Sequence, residues 1–179
     1  MSATGFAAAP PATARRTRRF AAPALLAAGV VLVDQSSKAV LTDWLGGDEP
    51  RQRWEAAGSF LAFEYVENTG AAFGSFPGQS DLLIVVALVV VVGLVVYYRR
   101  VPGPSRLFAL CLGLLVGGAL GNLIDRWRLG HVVDFFAVGS WPRFNLADIA
   151  VTLGVAILAW HLLVEERTPR LDNEAGPPR

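Results

Sequence analysis

Three aspartates, Asp125, Asp134 and Asp148, lie near one another in the sequence, each beside an apolar block. A carboxylate near hydrocarbon loses hydration, and two side by side cannot both ionise easily. One consequence is a shared proton. The ionised member can act as general base on a water while the protonated member polarises an amide carbonyl. Such a pair hydrolyses an amide without metal or cofactor. No metal-ligand set is visible in the sequence, because His131 and His161 lie far apart and Cys111 stands alone in an apolar block, where packing explains it.

Each aspartate also has a structural explanation. Asp125 precedes Arg126 at a helix end, where a local salt bridge or a solvated cap accounts for it. If Asn145 caps the next helix, Asp148 falls at its third position, where a carboxylate meets the helix dipole favourably. Asp134 sits between Val132-Val133 and Phe135-Phe136, a costly setting for a charge without a partner. Spacing alone does not choose between an Asp134–Asp148 pair and an Asp125–Asp148 pair.

The elements that must position these groups are apolar. The chain has 179 residues, 53% of them hydrophobic, which is high for a water-soluble domain. Its apolar residues fall into blocks at about 20–41, 82–98, 107–124 and 146–164. Each matches the length a helix needs to cross a bilayer. The β-branched run Ile84 to Val92 would suit a strand in water, but in lipid only a helix satisfies its own backbone. The expected fold is an all-α membrane protein with four transmembrane helices and a small β-sheet in an outer loop. A net charge of +1 excludes a large basic surface for nucleic acid.

Arginines orient the spans. Arg15, Arg16, Arg18 and Arg19 precede the first, Arg99, Arg100 and Arg106 separate the second from the third, and Arg167 and Arg170 follow the fourth. The positive-inside rule makes that side cytoplasmic. Residues 1–19 and 166–179 are then expected to be cytoplasmic tails, the first disordered. The basic start also has the outline of a secretory signal, but no small-residue cleavage site ends the block before Asp34. Within the first span, Asp34 and Lys38 are four residues apart on one face and are expected to pair, since unpaired charges near lipid are costly. Lys38 is the sole lysine of the chain.

The outer loops then hold the chemistry. Phe60 to Val66 alternates in the manner of a short strand and leads into the turn-rich run Asn68-Thr69-Gly70-Ala71-Ala72-Phe73-Gly74. It reads either as a hairpin lying on the membrane or as a small sheet that cradles an extended peptide by strand addition. The second outer segment, after Asp125, carries His131-Val132-Val133-Asp134-Phe135-Phe136 as loop.

Five motifs follow in order: Asp34-x-x-x-Lys38, Asn68-Thr69-Gly70-Ala71-Ala72-Phe73-Gly74, Gly121-Asn122-x-x-Asp125-Arg126, Val132-Val133-Asp134-Phe135 and Phe144-Asn145-x-Ala147-Asp148. Together with the four-span layout they resemble the lipoprotein signal peptidase (signal peptidase II) family. The resemblance covers Asp34 to Asp148 and leaves both tails unmatched. It implies that Asp134 and Asp148 are the catalytic pair. It implies that Asn68, Asn122, Arg126 and Asn145 bind and orient the substrate, with Asp34, Lys38, Gly70 and Asp125 as structural support. The implied substrates are prolipoproteins carrying a diacylglyceryl group on the cysteine after the scissile bond. The site is implied to lie near the outer leaflet of a bacterial inner membrane, in contact with membrane lipids. One site per chain needs no partner subunit, so a monomer is expected. The segment between Val133 and Phe144 is short for the family.

Two other classes compete. A small transporter or channel subunit would relay protons through its acids, but would place them near the midplane and often shows inverted repeats. A noncatalytic assembly subunit would use its outer loops for partners. Changing each aspartate to Asn separates the three: turnover, proton coupling or neither is lost.

Overall fold

The computed structural model describes residues 12–45, 53–58, 60–70 and 80–166. Along the chain come helix α1 (Ala12–Leu45), strands β1 (Arg53–Ala57) and β2 (Leu61–Asn68), and helices α2 (Ser80–Arg100) and α3 (Arg106–Leu129). Strand β3 (Val132–Val138) and helix α4 (Leu146–Glu166) complete it. Each expected apolar block is helical, and each helix overruns its block by a turn or so. The largest excess is in α1, which begins at Ala12, so residues 12–19 are helical where a disordered tail was expected. The expected tail residues 1–11 and 167–179, and Ala71 to Gly74 of the second motif, lie outside the described residues.

The helix ends have local causes. Ser105 caps α3, its hydroxyl accepting the Phe108 N–H at 3.1 Å. Gly130 ends it in the left-handed conformation (φ 80°) and donates its N–H to the Arg126 carbonyl at 3.0 Å. The guanidinium of Arg19 covers the end of α2, donating to the carbonyls of Tyr98 and, at 2.6 Å, Val101. Tyr98 packs there with Phe108, Cys111 and Leu112, so the lone cysteine is indeed a core residue.

Helix α3 is the centre of the bundle, and its small residues let its neighbours come close. A Cβ at Gly117 would lie 2.7 Å from Val30 Cβ in α1, and one at Gly118 would lie 2.5 Å from the Ala147 carbonyl in α4. The outward faces are apolar. Val89 is 66% exposed and Leu25 75%, the reverse of a water-soluble bundle. Among the described residues two helices are long and apolar enough to cross a membrane, α1 over Arg19–Leu45 and α3. The apolar run described in α4, Leu146–His161, is shorter.

At the far end from Tyr98 lies a three-stranded antiparallel sheet in the order β1-β2-β3. β2 and β3 pair with Leu61 opposite Val138, Val66 opposite Asp134 and Asn68 opposite Val132. Leu45, Tyr65 and Val133 seat this sheet on the end of α1. The expected first strand is present, two residues further along at its end. The His131–Phe136 segment, read from sequence as loop, is mostly strand β3. Its β-branched and aromatic residues suit a strand, but the partner that makes it one is β2, far away along the chain.

Candidate active site

The site begins at the entry to α4. Asn145 caps the helix: its Oδ1 accepts the Asp148 N–H at 3.0 Å, and Asp148 Oδ2 accepts the Asn145 N–H at 3.2 Å. This is the reciprocal capping arrangement, with a carboxylate at the third helical position. The cap leaves Asp148 Oδ1 free to accept the Asn122 Nδ2 of α3, at 2.8 Å. The structural explanation for Asp148 is therefore correct, and it places a carboxylate in the cleft rather than removing one.

Asp134 arrives from the sheet and is 1% exposed. Its Oδ2 accepts Asn68 Nδ2 from β2 at 2.9 Å, and its Oδ1 accepts Asn145 Nδ2 at 2.7 Å. Asn145 is thus bonded to both carboxylates. Burial pushes the Asp134 carboxyl from its ordinary 3.8 up to about 7. The hydrogen bond from Asn68 opposes that rise, and the Asp148 charge adds to it.

A buried charged layer supports these groups. The Lys38 ammonium meets three acceptors: Asp34 Oδ2 at 2.8 Å, Asp125 Oδ2 at 2.7 Å and Asn122 Oδ1 at 3.1 Å. Each carboxylate then holds another element. Asp34 Oδ1 accepts the Ala147 N–H of α4 at 2.9 Å, and Asp125 Oδ2 accepts the Val133 N–H of β3 at 3.2 Å. Gln35 Nε2 spans the two acids, at 3.2 Å from Asp34 and 2.8 Å from Asp125. One lysine and two aspartates so fix both elements that carry the other acids.

Asp34 and Lys38 pair as expected, but Asp125 corrects its own expectation. It lies inside α3, buried, and its charge partner is Lys38 rather than Arg126 or solvent. Arg126 points the other way, its Nη2 donating to the Gly70 carbonyl at 3.0 Å. Gly70 in turn donates its N–H to Asn68 Oδ1 at 2.9 Å. The buried Nε of Arg126 has no hydrogen-bond partner among the described residues.

Asn68, Asn122, Arg126, Asp134 and Asp148 all line one cleft of about 480 Å³. Asn145 lies fully buried behind it. The far wall is apolar, from Ile149, Val151 and Leu153 of α4, and the rim carries Trp141 and Arg143. The surroundings of the site also include Gln35, Glu64 and Arg143, whose roles none of the five motifs marks. A signal existed for Gln35, a polar residue next to Asp34 in an apolar helix. None existed for the pairing of Glu64 with Arg143, whose partners meet only through the fold. No group of three or more His, Cys, Asp or Glu among the described residues is placed to hold a metal ion. Chemically, the cleft offers two carboxylates coupled through amides, with a depressed affinity for a second charge, and an arginine N–H to receive a carbonyl.

Comparison with known proteins gives the same direction. Residues 26–164 match the family model described as Signal peptidase (SPase) II. A lipoprotein signal peptidase of Moorella thermoacetica is 43% identical over 140 residues, covering 78% of this chain and 91% of that one. Its counterpart from Syntrophomonas wolfei is 46% identical over 137 residues, covering 76% and 89%. A solved bacterial membrane enzyme, determined by the in meso method, superposes with a TM-score of 0.75 at 27% identity, covering 88% of this chain and 94% of that chain.

Proposed function

Since this chain belongs to the signal peptidase II family, we propose that it is a lipoprotein signal peptidase in which Asp134 and Asp148 form the catalytic pair. The observation that carries the assignment is Asn145, which bonds Asp134 with its amide and Asp148 with its backbone N–H and Oδ1. Asp125, the competing partner for Asp148, is committed to Lys38 and to the Val133 N–H.

In this reading Asp134, with its carboxyl near 7, holds the shared proton. Asp148, at the positive end of α4 and facing two N–H donors, is the ionised base. Asp148 takes a proton from water as its oxygen attacks the scissile carbonyl, and Asp134 gives its proton to the carbonyl oxygen. The tetrahedral diol then collapses. Asp134 recovers the hydroxyl proton, Asp148 passes its proton to the amide nitrogen, and the C–N bond breaks. Arg126 and Asn68 orient the substrate backbone.

The substrate is a prolipoprotein with a diacylglyceryl group on the cysteine after the scissile bond. Four helices span a bacterial inner membrane with both termini cytoplasmic, and one chain works as a monomer. The cleft then lies at headgroup depth, its apolar α4 wall facing acyl chains and the sheet facing the exterior. The membrane lipids are its second partner.

The test is cleavage of a diacylglyceryl-modified precursor beside an unmodified one, by purified protein in lipid. Wild type should cut only the modified form, and Asp134→Asn or Asp148→Asn should lower turnover by about 10²- to 10⁴-fold without unfolding. Loss with Asp125→Asn but not with Asp134→Asn would overturn the pair. No cleavage by folded wild type would overturn the peptidase assignment itself.

A further inference from the structure

Arg143 stands at the cleft rim, on the short return between β3 and α4. That return is held to β3 by a bridge between Phe136 and Phe144, with the Phe136 N–H donating to the Phe144 carbonyl at 2.9 Å. The Arg143 side chain therefore has a fixed root. Its Nε contacts Glu64 Oε1 on β2, and its Nη1 lies 3.5 Å from the Trp141 carbonyl. Glu64 is shared, because Arg53 Nη1 reaches its other oxygen at 2.9 Å. Arg53 also meets Glu55 Oε1 at 3.6 Å, so it has a second carboxylate, while Arg143 pairs with Glu64 and shares it. Arg143 is 31% exposed and Glu64 16%, so the guanidinium, although paired, is the more open of the two and lines the cleft mouth.

The cleft has a direction. Its α4 wall is apolar, while its sheet end carries the polar groups Asn68, Asp134 and Arg143 beside Val132, Trp141 and Phe144. An amphiphile held there puts lipid and apolar signal segment along α4, so its translocated polar part must leave past the sheet. We infer that Arg143 is a specificity-determining residue that favours acidic side chains in the substrate segment just downstream of the lipidated cysteine. The inference rests on the peptidase assignment above. Glu64 sets its strength by drawing part of the guanidinium charge away from the cleft.

Three diacylglyceryl-modified peptides test this, identical except for Glu, Gln or Lys in the two positions after the cysteine. Wild type should show a kcat/KM ratio of roughly fivefold for Glu over Lys, the scale of part-exposed charge pairs, shrinking as salt is added. Arg143→Gln should bring the ratio near one, and Arg143→Lys should keep it. Glu64→Gln should raise it, because the guanidinium is then released toward the cleft. That opposite response separates a charge effect from a loosened rim, which would lower the ratio in both variants alike. A wild-type ratio of one with all three peptides cleaved would overturn the inference and leave the peptidase assignment standing. The same holds for an unchanged ratio in Arg143→Gln. Failure of wild type to cleave any of the three would overturn both.

Discussion

Lys38 in α1 donates to Asn122 Oδ1 in α3 across 3.1 Å, and this bond decides which way the Asn122 amide faces. An ammonium can only donate, so the atom it meets must be the amide oxygen. The NH₂ end is then turned to Asp148 Oδ1, 2.8 Å away. The one lysine of the chain thus reaches the proposed catalytic pair through a neutral amide, while its charge stays with Asp34 and Asp125.

Removing that lysine should be severe. Lys38→Met would leave two buried aspartates without their cation, a change that costs about 3–5 kcal/mol in comparable sites. We expect loss of folded protein in detergent melts, with Lys38→Arg failing to restore it, because a planar fork does not fit three acceptors arranged around a point charge. Reversing both Asp34 and Lys38 should fail as well. The new acid would face Asp125, and the new base would face the Ala147 N–H donor. Wild-type melting of the double reversal would show that the pair is an isolated one.

Asn145 combines a cap with a bond to Asp134, and two substitutions separate these roles. Asn145→Ala should cost about 1 kcal/mol of stability through the cap and lower turnover as well. Asn145→Ser keeps a capping oxygen but loses the second arm, so its melt should stay near wild type while turnover still falls. Equal turnover for Asn145→Ser and wild type would remove Asn145 from the machinery that sets the carboxylate geometry.

The Asp134 carboxyl, raised from 3.8 to about 7, gives a signed pH dependence. The folded protein binds this proton more tightly than the unfolded chain. Its contribution to stability is therefore complete below about 3.8 and is lost as pH rises through about 7. In the proposed mechanism the same proton is needed for turnover, so kcat/KM should fall above about pH 7. Melts from acid to mildly alkaline pH should show the decline in wild type and less of it in Asp134→Asn. A kcat/KM that keeps rising past neutrality would assign the shared proton elsewhere.

Close packing of α4 on α3 should matter for the site and not for stability alone. A Cβ at Gly118 meets the Ala147 carbonyl at 2.5 Å and Val151 Cγ2 at 2.7 Å, so Gly118→Ala must push α4 outward. We expect a loss of about 1–3 kcal/mol and reduced turnover, since Asp148 follows Ala147. Gly93→Ala in α2, where a Cβ meets nothing within 4 Å, should be neutral or slightly stabilising. Equal melting temperatures for the two variants would count against this packing.

What the sequence determined by itself is what a helix determines locally. Apolar blocks became helices because a long apolar run has few other ways to satisfy its backbone. Asp34 meets Lys38, and Asn145 meets Asp148, because residues three or four apart share one helix face or one cap. Contacts between residues distant along the chain came from packing alone. Asp125 looked like a helix-end acid beside Arg126, yet the close approach of α1 to α3 gives it Lys38 instead. The Val132–Phe136 segment looked like loop until β2 supplied its ladder. The bonds from Asn145 to Asp134, Asn68 to Asp134 and Arg143 to Glu64 have no local signature at all. They exist because the glycine face of α3 lets α4 settle against it while the sheet sits across the same end, and short side chains reach across such gaps only after the backbones have closed them.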